Sequence, residues 1–68
     1  MKPSTLCDIR RDIAQLVMFE RWDHTTKQVL NNYMNARNIQ YRAAEYLTVK
    51  NNLKIWIIED NREYLIVI

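Results

Sequence analysis

Along the first third of the chain, apolar residues recur at helical spacing. Leu6, Ile9, Ile13, Leu16 and Val17 fall in one stripe when residues are placed about 100° apart. Arg10, Arg11, Asp12 and Gln15 occupy its sides and back, and Glu20 lands on the stripe and ends it. Ser4 or Thr5 can cap such a helix, and Thr5 with Asp8 approximates a capping box. The pattern predicts a helix over residues 5–20, with Phe19 and Trp22 in the corner beyond it.

A second stripe begins after "DHTTKQ". Asp23 or Thr25 suits an N-cap, and Thr25 with Gln28 repeats the capping-box spacing. Val29, Tyr33, Ala36, Gln40, Ala43 and Leu47 then form a heptad seam whose one polar member is Gln40. Leu30, Met34 and Tyr41 widen that surface. Asn31, Asn32, Asn35 and Asn38 lower helix propensity and argue for a break within residues 35–39. Two readings compete. The seam keeps its phase across the suspect segment, which favours one helix over residues 26–50. A break would instead give two short helices ahead of a hairpin, the element order of a winged helix.

The last stretch, "LKIWIIEDNREYLIVI", alternates at strand period on both sides of Asp60-Asn61. That turn predicts strands over residues 53–59 and 62–68 and pairs Ile58 with Glu63, Ile57 with Tyr64, Trp56 with Leu65 and Ile55 with Ile66. Lys54 then faces Val67, Leu53 faces Ile68, and Glu59 meets Arg62 beside the turn. Opposed side chains share a face. One face therefore holds Leu53, Ile55, Ile57, Tyr64, Ile66 and Ile68. The other holds Trp56, Ile58, Leu65 and Val67, diluted by Lys54 and Glu63. The expectation is one α+β domain over residues 1–68: two helices, the second broken or unbroken at 35–39, and a C-terminal β-hairpin.

Size changes the picture. At 68 residues the chain is at the small end of what folds alone, and its usual staples are missing. One cysteine, Cys7, cannot form an internal disulfide, and Cys7 with His24 cannot close a zinc site, so no metal and no cofactor is expected. Two helices cannot wrap both faces of the hairpin, and a two-stranded sheet has two open edges. Self-association fills the gap: a homodimer is expected, with Trp56, Ile58, Leu65 and Val67 at a dimer or partner interface.

Chemistry adds little. His24 beside Asp23 has no nucleophile placed near it and reads as a helix-start residue, so no enzyme is expected. Cys7 reads as a small hydrophobe beside the stripe. With glycine absent there is no phosphate loop, and no apolar run approaches the roughly 18 residues of a membrane span. The N-terminal stretch has no apolar core of a secretory signal, and a lone cysteine suits a reducing compartment, so a cytoplasmic setting is expected, including a host cytoplasm for a phage or viral protein. A net charge of +2 permits an acidic partner without demanding one. The expected function is a regulatory or protein-binding module that presents an apolar surface to another protein. The alternative is a winged-helix-like DNA binder contacting nucleic acid through Lys27, Arg37, Gln40, Arg42, Lys50 and Arg62.

Overall fold

The structure is a computed structural model that describes residues 1–16, 23–47, 49–50 and 52–68. Two helices, α1 (Pro3–Leu16) and α2 (His24–Ala36), precede three strands, β1 (Gln40–Leu47), β2 (Asn52–Glu59) and β3 (Arg62–Val67). The strands form an antiparallel meander in the order β1-β2-β3, and the class is α+β.

Helix α1 starts two residues before the expected position. Pro3 occupies its first turn, where a missing N–H costs nothing, and the Lys2 carbonyl accepts the first helical bond from Leu6 at 3.1 Å. Ser4 and Thr5 therefore lie inside the helix and do not cap it. Ile9 and Ile13 are buried, Leu6 is half-buried, and Leu16 is 47% exposed. The expected end of this helix at residue 20, and the corner with Phe19 and Trp22, lie outside the described residues.

Asp23 caps α2. Its Oδ1 accepts from the Thr26 amide and the Thr26 hydroxyl, both at 2.9 Å. The buried centre of α2 is Leu30 and Met34, one turn apart, with Val29 and Tyr33 half-buried beside them and Ala36 exposed. The true centre of the apolar stripe is thus rotated by one residue from the predicted seam.

Residues 37–50 overturn the long-helix expectation. Helix α2 ends at Ala36 because the chain turns into the left-handed region at Asn38, with φ 55°. The Ile39 amide reaches the Met34 carbonyl at 2.9 Å and the Asn38 amide reaches the Asn35 carbonyl at 3.2 Å, the two closing bonds of a Schellman cap. The next element is a strand, so the winged-helix element order is absent as well: no recognition helix occupies residues 40–47. The continuous phase misled because β1 carries a bulge. Tyr41 pairs with Ile57 but Ala43 pairs with Trp56, which leaves Arg42 as the extra residue. Tyr41, Ala44 and Tyr46 pack on the core, while the seam members Gln40, Ala43 and Leu47 pair on the opposite face. The bulge shifts the alternation by one residue and imitates a helical step.

The C-terminal hairpin forms in the predicted register, from Glu59–Arg62 to Lys54–Val67. Leu53 and Ile68 exchange both backbone bonds, at 3.1 and 2.8 Å. Asp60 and Asn61 both have positive φ, 52° and 62°, as a two-residue turn matched to strand twist requires. Leu53, Ile55 and Ile57 are fully buried against Ile9, Ile13, Leu30 and Met34, each burial stabilising by roughly 1.5–3 kcal/mol. One premise is corrected. Among the described residues the sheet has three strands, so β2 is central and β1 and β3 are its edges.

Candidate interaction surface

Both helices pack on the same face of the sheet, α1 towards β3 and α2 towards β1. A side-chain network binds the helices to one another. Tyr33 on α2 donates its hydroxyl to Asp12 Oδ2 on α1 at 2.8 Å, and Arg37 reaches the same oxygen at 3.2 Å while lying 5.2 Å over the Tyr33 ring. Burial first, and then the bond to Asp12, push the Tyr33 hydroxyl up to about 12. Tyr41 donates to Asn31, and burial raises its hydroxyl too.

The opposite face has no helix on it among the described residues. Reading across the strands, its rows are Gln40, Ile58 and Glu63, then Ala43, Trp56 and Leu65, then Glu45, Lys54 and Val67. The four residues expected at an interface, Trp56, Ile58, Leu65 and Val67, stand together here. Leu65 is 51% and Val67 40% exposed, whereas Trp56 and Ile58 are half-buried.

Arg42 explains part of the shielding of Trp56. From the bulge on β1 its guanidinium lies 5.5 Å over the indole and continues to Glu63 on β3, which it meets through Nε at 3.1 Å and Nη2 at 2.9 Å. One long side chain therefore spans the central strand. Glu45 lies directly opposite Lys54 in the next row. The face carries Arg42 and Lys54 against Glu45 and Glu63, so its charges cancel around an apolar centre.

The residues expected to contact nucleic acid do not converge. Lys27 is exposed on α2, and Arg37 caps that helix and is paired to Asp12. Gln40 and Arg42 sit on β1, with Arg42 tied to Glu63. Lys50 lies in the β1–β2 connection and Arg62 beside the hairpin turn, at opposite ends of the sheet. Sequence reasoning missed Ala43 and Leu47 as members of the open face, because the bulge hid the strand that carries them.

A cleft of about 670 Å³ opens at the end of the molecule near Asp60, between the start of α1, the α2–β1 corner and the hairpin. Most of its charged groups are engaged: Asp8 with Arg11 at 3.3 Å, Arg37 with Asp12, and Glu59 with the Met1 amino group at 2.7 Å. That amino group also donates to the Tyr64 hydroxyl at 3.0 Å, which lowers the tyrosine's pKa. Cys7 is exposed, and among the described residues no set of three metal-ligating side chains converges. Among the described residues, no helix is long and apolar enough to cross a membrane.

Comparison with protein-family models, with curated proteins and with solved structures returns no match.

Proposed function

We propose that the chain is a small non-enzymatic protein-interaction module. It self-associates through its C-terminal hairpin and presents the open face of its sheet to an apolar, charge-balanced protein surface. The observation that carries this reading is the outer row of Leu65 and Val67, about half exposed, beside Trp56 and Ile58 on a face that no described helix covers. Aromatic and apolar anchors ringed by satisfied polar groups are the usual anatomy of such surfaces. The internal pairing of Arg42 with Glu63 works against a phosphate backbone as the partner, because a DNA-binding face needs unpaired cations.

Sedimentation tests the reading. The wild-type chain should associate at about 100 μM, and Trp56→Lys or Leu65→Lys should render it monomeric with its helical circular dichroism unchanged. A wild-type monomer at that concentration overturns the self-association. The DNA-binding alternative is tested by gel shift: specific duplex binding that survives about 0.15 M salt and weakens in Arg42→Ala and Lys50→Ala would replace the protein-binding reading.

A further inference from the structure

The hydrogen-bond pattern of the hairpin fixes which backbone groups of β3 face outward. Leu53 and Ile68 exchange both bonds. Bonded and non-bonded pairs alternate along an antiparallel ladder, so Ile66, Tyr64 and Arg62 also bond β2. The amides and carbonyls of Glu63, Leu65 and Val67 therefore point away from the sheet. Arg10 gives an independent sign of this, since its Nε donates to the Val67 carbonyl from α1 at 3.0 Å.

Among the described residues nothing else occupies that edge. Apart from Arg10 at the Val67 carbonyl, which keeps a second lone pair for an amide, and the charge of Glu63, it lacks the devices that normally blunt one. β3 has no proline, its pairing with β2 is unbroken from Arg62 to Val67, and two of its three outward-backbone positions carry Leu and Val on the open face.

We infer that β3 pairs antiparallel with β3 of a second copy about Leu65, closing a six-stranded sheet. This rests on the self-association proposed above and names its seam. In this register Leu65 meets Leu65 of the second copy, and Glu63 meets its Val67. Lys54 lies directly opposite Val67 within each chain. Crossing the seam, the order is therefore Glu63, then Val67 and Lys54 of the second copy. Two strand spacings, about 9–10 Å, separate the backbones that carry that carboxylate and that ammonium, a span their side chains can close. Arg42 already makes the same reach over Trp56 to Glu63, and both of its bonds use Oε1, which leaves Oε2 to accept from a second cation.

Charge selects this register over those centred nearer the turn. Sliding the copies until Glu63 meets Glu63 opposes two carboxylates. Sliding until Glu63 meets Leu65 puts the carboxylate against Leu65 and Trp56 and leaves Lys54 out of reach. The symmetric register about Leu65 joins the two open faces into one surface, with the apolar row Trp56–Leu65 continuing into its copy.

Two measurements on the full chain test the seam. Hydrogen exchange at the amides of Glu63, Leu65 and Val67 should slow by at least about tenfold as the protein is concentrated through its association range. In a Cys7→Ser background, Leu65→Cys should oxidise to a covalent dimer, since paired Cα atoms would lie about 5.5 Å apart. Val67→Cys, also exposed and leaving Glu63 and Lys54 in place, should not, because its two copies would stand roughly 14 Å apart. A dimer whose three edge amides exchange equally at low and high concentration overturns the seam and leaves face-to-face self-association standing. Cross-linking of Val67→Cys as efficient as that of Leu65→Cys overturns the register. A chain that stays monomeric overturns the seam and the self-association together.

Discussion

The two faces of the sheet are built from alternate residues of the same strands, yet they do different work. On the inner face Leu53, Ile55 and Ile57 are fully buried and Ile66 is 4% exposed, under both helices. On the outer face, one residue along in each case, Leu65 and Val67 remain 51% and 40% exposed. Both faces carry large apolar residues, but the outer one mixes them with Gln40, Arg42, Glu45, Lys54 and Glu63 and has no described helix over it. The inner face holds the fold together, whereas the outer face has apolar area that folding of this chain leaves in water, which is why it is the candidate for association.

That contrast is most exposed to a pair of truncations. Ile55→Ala should cost about 2–5 kcal/mol by opening a cavity in the core, whereas Leu65→Ala should change monomer stability by less than about 0.5 kcal/mol. Urea denaturation at a concentration below association would show it. Similar costs at the two positions would mean that something covers the outer face.

The helix layer over the inner face gives a pH-dependent test. The Tyr33 hydroxyl is raised from 10.0 to about 12 by burial and by its bond to Asp12. Because the folded value is the higher one, the stabilisation is whole below pH 10 and is lost as pH rises towards 12. Tyr33→Phe should cost about 1 kcal/mol at neutral pH and should flatten the alkaline limb of the stability profile. An unchanged limb would detach Asp12 from Tyr33 and loosen the link between α1 and α2.

On the outer face, electrostatics should count for less. A double-mutant cycle on Arg42 and Glu63, both about half exposed, should give a coupling of about 0.2–1 kcal/mol that shrinks as salt is added. A larger, salt-insensitive coupling would mean the pair is shielded, and so that the outer face is covered even in the monomer. The smallest change is expected at the hinge that delivers β1 to the sheet. Asn38 already adopts φ 55°, so Asn38→Gly should be neutral or stabilise by a few tenths of a kcal/mol in thermal melts. A clear loss of stability would mean that the Asn38 side chain, and not only its backbone, holds that corner.

The candidate surface is legible in the sequence where its residues obey a local period. Trp56, Ile58, Leu65 and Val67 can be placed together from the alternation about Asp60-Asn61, because a tight turn and a two-residue repeat leave one register. Arg42 stands out in the sequence for the wrong reason: as part of a helix it offers a cation to phosphate, while on the bulge it lies over Trp56 and neutralises Glu63. Ala43 and Leu47 escape placement on the open face, since nothing local marks a bulge in "QYRAAEYL".

Local spacing in the sequence specifies the hairpin from Leu53 to Ile68, its inner and outer faces, an N-cap at Asp23 or Thr25 and the apolar stripe through Ile9 and Ile13. Each of these depends on neighbours a few residues apart. Residues 40–47 take their conformation from long-range pairing instead. Gln, Arg, Ala, Glu and Leu are all good helix formers, and the segment's spacing continues the phase of α2. Against that stands the free edge of β2, whose outward backbone groups at Lys54, Trp56 and Ile58 would otherwise lack partners. Pairing with that edge settles eight residues as a strand, and its bonds join positions that are distant in sequence, beyond the reach of any local period.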